Sequence, residues 1–324
     1  MIDVFRRGNF TTDANALAVD VFTELSRMFL YLSNSQAAGL YADTAFNISS
    51  ALNERLWRHD HFATQLNPDG SERDFVDYDS NLLATAFVPM GSERLHATLR
   101  RVDNGSCTHA APGTYISEKL YGHNDVYNCD AAKPEIFCVG DTRVSYGRVA
   151  WLDALSRKRA GDYETFEELI VAPIRRQVFE LVWCHERYTC NGVPVHSPMY
   201  YEYPEVLGTI TRDVRYGLRF GLGSFSIDPF LSDDDRADGF SWSIGGVHVQ
   251  YNSPFRVCFA LPVEWPRGLK TSIAGLKAEA TYAYNATGGS GIVRTDERGT
   301  LEVTLQASAG TTSCVVAQGG EDTY

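Results

Sequence analysis

The sequence predicts a mainly α protein with a β domain. It reads as a partial α/α toroid of helical hairpins over residues 1–235, followed by an antiparallel β-sandwich over residues 236–324. Three observations carry this reading. Through Leu222, apolar residues recur at helical spacing in long segments. The links between those segments alternate between short and long, which suits a ring of helical hairpins with its long links on one rim. From Phe240 onward, alternating or β-branched runs are separated by Gly, Pro and Asn turns.

The elements follow in chain order. The first helix starts near Thr12-Asp13, with Asp13 as its expected N-cap, and carries a stripe of Leu17, Val21, Leu25, Met28/Phe29 and Leu32. Ser33-Asn34-Ser35 ends it and caps the next helix, whose stripe is Ala38, Tyr41, Ala45, Ile48, Leu52 and Leu56. A loop or short hairpin from His59 to Tyr78 turns at Asn67-Pro68-Asp69-Gly70. Short helices are expected from Ser80 and over Ser92 to Val102. Residues 103–142 are rich in Gly, Pro, Tyr and Cys and long for a plain connection, so they read as a functional loop. Helices resume over Ser145 to Arg159 and Tyr163 to Trp183, where Pro173 must kink or restart the second. An irregular aromatic stretch runs from Cys184 to Glu205, and a last helix covers Ile210 to Leu222. The acidic run 232–239 reads as a solvated linker.

Composition narrows the function. The 324 residues are 44% apolar and 12% aromatic, which excludes a disordered or collagen-like chain. A net charge of −12 argues against partners that need clustered Lys/Arg, so no nucleic acid and no anionic membrane surface is expected. No apolar run approaches the ~18 residues of a membrane span. The first residues lack the apolar region of a signal peptide. Seven cysteines include Cys129/Cys138 and Cys184/Cys190, spaced like short disulfide loops, and none has zinc-site spacing. Four N-x-S/T sequons, at Asn9, Asn47, Asn104 and Asn285, make secretion one open reading of localisation. No phosphate loop, dinucleotide fingerprint or Gly-x-Ser-x-Gly elbow is present.

One passage resembles a known superfamily. Thr12-Asp-Ala-Asn-Ala-Leu, two paired helices ending in Leu56-Trp57, and an aromatic hairpin leading to Asp77-Tyr-Asp79 are similar to the (α/α)6-toroid, six-hairpin glycoside hydrolases. Trehalases, processing α-glucosidases and α-L-rhamnosidases are its members. His185-Glu186-Arg187-Tyr188 with Tyr201-Glu202-Tyr203-Pro204 resembles the trehalase stretch in which a glutamate acts as general base. The resemblance implies a glycosidase acting on an oligosaccharide or glycoside, with no cofactor and no metal. The family's acid motif lies upstream of this passage.

Inverting hydrolysis needs a protonated carboxyl on the leaving oxygen and a second carboxylate activating water, roughly 6.5–9.5 Å apart. Glu186, beside Arg187, suits the base, with a helix-end salt bridge as its plainer role. Glu202, between tyrosines, has either a site role or a buried structural one. Asp79 is the acid expected here, and Asp77 its companion, one of the two serving as a helix N-cap. Glu118, Tyr188, Tyr201, Trp151 and Arg148 are the expected substrate-binding residues, although Trp151 and Arg148 suit core packing equally. A non-catalytic carbohydrate-binding protein is the alternative function.

Overall fold

The computed structural model describes residues 10–74, 76–107, 144–180, 187–189, 191–195, 202–221, 223–232, 234, 241–244, 247–250, 256–260, 265–286, 289–307 and 312–317. The chain divides into two compact units, Met1–Ile210 and Thr211–Tyr324.

The first unit is helical. Strand β1 (Phe10–Thr11) runs straight into α1 (Thr12–Tyr31), and three residues later α2 (Ser35–Arg55) returns. The reversal works because Ser33 takes a left-handed φ of 60° and the Asn34 side chain accepts the Ala37 amide at 3.0 Å. The expected turn joins β2 (Gln65–Leu66) to β3 (Glu72–Arg73), with Gly70 at φ 81°. Strand β1 pairs with β2 to complete a three-stranded sheet. A second helix pair follows, α3 (Tyr78–Phe87) and α4 (Ser92–Asp103). Strand β4 (Val144–Tyr146) leads into α5 (Gly147–Ala160).

Helices α6 (Tyr163–Phe166) and α7 (Ala172–Arg175) alternate with π-helical turns at Glu167–Val171 and Arg176–Glu180. Pro173 restarts the ladder as expected, in the first turn of α7, where a missing N–H is tolerated. Strand β5 (Arg187–Thr189) pairs with β4, β6 (Pro194–Val195) pairs with β5, and α8 (Glu202–Thr209) continues into a π segment, Ile210–Arg215.

The core of this unit draws on α1 to α5, with Leu52, Leu56, Phe62, Leu82, Leu99 and Val149 at its centre. The α2 stripe buries as expected at Ala38, Ala45, Leu52 and Leu56. The α1 stripe does not. Its buried residues are Thr12, Asp13, Ala16, Val19 and Ser26, while Val21, Met28 and Leu32 are exposed. The inward face is built of small side chains, which let α1 and α2 approach closely. Ser26 Oγ donates to the Ala38 carbonyl across that contact at 2.9 Å. The first helix starts at Thr12 as expected, but Thr11 and not Asp13 takes the N-cap position.

Helices α3 and α5 run parallel, since their bonded pairs keep a near-constant offset. Ser156 Oγ meets Thr85 Oγ1 at 2.7 Å and the Leu82 carbonyl at 3.3 Å. Arg159 Nη1 donates to the carbonyls of Thr85 and Val88 at 2.8 and 2.7 Å, closing the C-terminal end of α3. Helix α1 begins at the same end as α3, because both first turns bind one strap. Thr12 bonds to the carbonyls of Ala63 and Thr64, and Asn81 exchanges two hydrogen bonds with the Phe62 backbone.

The second unit is a β-sandwich. The expected last helix ends at Arg215, and Gly217 (φ 62°) turns the chain into β7 (Leu218–Gly221) and β8 (Ser224–Ile227). Strands β9 (Ser241–Ile244), β10 (Val247–Gln250), β11 (Arg256–Ala260), β12 (Trp265–Ile273), β13 (Thr281–Ala286), β14 (Gly289–Arg294), β15 (Leu301–Ala307) and β16 (Thr312–Ala317) follow. One sheet has the order β14-β13-β16-β11-β10-β9 and is antiparallel; the other is β15-β12-β8-β7. Only the β8–β12 pairing is parallel among the described strands of the two sheets. Phe225, Ile227, Leu269, Leu301 and Leu305 from one sheet and Val257, Tyr282 and Val315 from the other share one core. No described sheet closes into a barrel. No described helix is long and apolar enough to cross a membrane.

Candidate active site

The common end of α1, α3 and α5 gathers polar groups into an otherwise apolar layer. Asp77 is the N-cap residue of α3 and Asp79 lies in its first turn; they are 0% and 1% exposed. Ser80 Oγ stands between them, 3.2 Å from Asp77 Oδ2 and 3.3 Å from Asp79 Oδ1. It carries one proton for two carboxylates, so it donates to one at a time. The Asp77 carbonyl accepts the Asn81 amide and side chain, at 3.0 and 2.9 Å. Asp13, buried in the first turn of α1, accepts the Ala14 amide at 2.7 Å. Three aspartates therefore sit at helix N-termini, where the first backbone N–H groups have no partner within the helix. The local sequence explains the burial: the polar residues Asp79, Ser80, Asn81 and Thr85 bond back to the backbone or to one another, while Leu82 and Leu83 enter the core.

Tyr188 belongs to the same end. Its strand pairs with β4 immediately before α5, Ser145 faces Tyr188 in the register, and the residue is 1% exposed. Trp151 lies on α5, half-buried, with its ring 6.3 Å from that of Phe87 and packed on the core. Arg148 is in the first turn of α5, and Glu202 opens α8. Glu118, Glu186 and Tyr201 lie outside the described residues, and Glu186 directly precedes β5. Sequence reasoning assigned Asp13 a capping role and passed over Ser80 and Asn81. The signal available was the density of short polar residues in one first turn, Asp77 to Asn81. Among the described residues no group of three or more His, Cys, Asp or Glu side chains could hold a metal ion.

A second polar cluster stands at the other end of α5. Arg157, 1% exposed, binds Asp153 through Nε at 2.8 Å, Asp162 through Nη1 at 2.8 Å and Asp103 through Nη2 at 2.5 Å. Burial works against the guanidinium charge, but the Asp153 and Asp103 carboxylates hold its pKa above the ordinary arginine value. Burial pushes the Asp153 carboxyl up, against the pull of Arg157. Asp162 is also pushed up by burial, yet hydrogen bonds from Arg157 and Thr165 leave it below the ordinary value. This cluster ties α4, α5 and the cap of α6 together.

A groove of about 880 Å³ runs between α1 and α2, floored by Ser26, Ala45 and Ser49 and walled by Phe46 and Trp57. Arg94 covers the Trp57 ring at 5.3 Å. None of the expected site residues lines this groove.

No family model and no curated protein matches the sequence. Solved structures do. A sialidase aligns with a TM-score of 0.51 at 11% identity, covering 92% of this chain and 27% of its own. The GH78 family rhamnosidase of Bacillus sp. GL1 aligns at 0.48 and 13%, covering 80% and 25%. Neutral trehalase from Saccharomyces cerevisiae aligns at 0.47 and 7%, covering 62% and 37%. The chain thus spans between a quarter and somewhat over a third of these neighbours' length. At this identity the likeness to the sialidase is one of fold.

Proposed function

We propose that the chain is a glycosidase-like protein that cuts glycosidic bonds by an inverting, two-carboxylate mechanism. The observation that carries this reading is the placing of two carboxylates, Asp77 and Asp79, within one turn of each other at the end where α3 and α5 begin and where β5 pairs with β4. In the proposed step Asp79 gives its proton to the leaving oxygen as the anomeric C–O bond breaks. Glu186 or Glu202 takes a proton from water, whose oxygen bonds to the anomeric carbon from the opposite face. Asp77, Glu118, Tyr188, Tyr201, Trp151 and Arg148 would hold sugar hydroxyls and ring faces. The likeness in fold to a sialidase is consistent with a glycan substrate.

The test compares wild type with Asp79→Asn, Glu186→Gln and Glu202→Gln on a panel of aryl glycosides, with product anomer followed by NMR. Asp79→Asn and one of the glutamine variants are expected to lose about 10²-fold or more in kcat, and the first product to have inverted configuration. Wild type inert on every sugar, or all three variants equal to wild type, ends the enzyme reading.

One observation favours a non-catalytic carbohydrate-binding protein instead. Asp77 and Asp79 are shut from solvent and both lie within reach of Ser80. Calorimetry with oligosaccharides showing binding without turnover, unchanged in Asp79→Asn, selects it.

A further inference from the structure

We propose that Asn104 carries an N-linked glycan, so that the chain matures in an oxidising, glycosylating compartment. Two independent observations converge. The first is the state of the cysteines. Cys258 and Cys314, 56 residues apart, face each other across β11 and β16 and form a disulfide. Cys107 is also disulfide-bonded. Structural disulfides persist in oxidising compartments, and these two lie in different units of the chain.

The second is the geometry of the sequon Asn104-Gly105-Ser106. Asn104 is exposed at the C-cap of α4, and its side chain makes no hydrogen bond among the described residues. It borders a hollow of about 230 Å³ lined by His59, Asp60, Ala97, Arg100 and Arg101, open ground for the first sugar. The rest of the sequon is shut away. Gly105 is buried, and a Cβ there would come within 2.2 Å of the Tyr78 ring. The Ser106 hydroxyl is buried without a partner among the described residues. A transferase that reads the serine hydroxyl therefore acts before the chain folds, and the finished fold leaves only the asparagine outside.

The transfer is a substitution at carbon. Asn104 Nδ2 bonds to the anomeric carbon of a lipid-linked oligosaccharide diphosphate. The C–O bond to the diphosphate breaks, the lipid diphosphate leaves with the electron pair, and the amide loses one proton. Nothing is oxidised or reduced.

The full chain, expressed behind a secretory leader in yeast or insect cells, tests the proposal. Peptides are released with peptide N-glycosidase in ¹⁸O water, which converts a glycosylated asparagine to labelled aspartate, and a parallel digest without the enzyme subtracts the spontaneous deamidation of Asn104-Gly105. The label is expected at position 104, lost in Ser106→Ala and kept in Ser106→Thr. Transfer precedes folding, so a variant that misfolds and stays in the cell still reports. An unlabelled Asn104 in a chain whose Cys258–Cys314 peptide is oxidised overturns the proposal. So does a label that survives Ser106→Ala.

Discussion

Arg157 shows how one residue can decide a region. Its guanidinium is the shared partner of three carboxylates from α4, α5 and the turn before α6. Arg157→Met removes the compensation and leaves Asp153 buried, so a loss of about 3–5 kcal/mol is expected in urea denaturation. The pH dependence has two opposing parts. Asp162, depressed by its hydrogen bonds with Arg157 and Thr165 after burial is overcome, contributes stability that is complete above its ordinary value of 3.8 and lost as pH falls below it. Asp153, raised by burial, acts in the opposite sense: its ionisation costs stability as pH rises above 3.8. Asp162→Asn should therefore flatten the fall in Tm on acidification, and Asp153→Asn should steepen it. Thermal melts between pH 5 and pH 3 would read both. At the proposed site the same scale matters, since Ser80 bridges two aspartates with one proton.

Helix α1 and the strap at Phe62 test the reading of elements. The helical period of α1 was legible, but its buried face was not. Periodicity marks where apolar side chains recur, whereas burial follows the line along which two backbones approach closest. That line passes through Ala16, Val19 and Ser26. Ala16→Leu should overpack the contact with a loss of about 1–3 kcal/mol, while Leu32→Lys should stay within about 0.5 kcal/mol. Chemical denaturation of the two variants side by side checks which face is core. Asn81→Ala leaves the Phe62 amide and carbonyl without their partner at the entrance to α3, with an expected loss of about 1–3 kcal/mol. Strand β12 does not show in its sequence, Trp265-Pro-Arg-Gly-Leu, because Pro and Gly fall where the register slips between Trp265 and Leu269. Strands β10, β11, β13, β15 and β16 are the alternating or β-branched runs expected from Phe240 onward.

The molecule as a whole is two units with separate cores, a helical one and a β-sandwich. The Cys258–Cys314 bond closes a loop of 56 residues within the second. Loop-closure entropy gives about 4 kcal/mol for a loop of that length. Cys258→Ala/Cys314→Ala should therefore lower the unfolding midpoint of the sandwich, followed by near-UV circular dichroism, and added reductant should have no further effect at that bond. Cys129, Cys138, Cys184 and Cys190, spaced like short disulfide loops, lie outside the described residues, and the pair that joins β11 to β16 is distant in the chain. Strand neighbours in a sandwich are set by topology, not by separation.

Composition, helical period and turn residues by themselves determined that hairpins of helices precede a β-sandwich, that Asn34 ends one hairpin turn, and that Pro173 interrupts a helix. These are local properties, governed by backbone sterics, capping and side-chain period within a few residues. Tertiary structure alone decided that α1, α3 and α5 begin at one end, bringing Asp13 beside the strap that also holds Asn81. It also decided that small residues form the α1–α2 contact, and that one arginine at the far end of α5 answers three aspartates. Each of these depends on chain segments that meet only after folding, because packing density and buried charge are settled by neighbours distant in sequence.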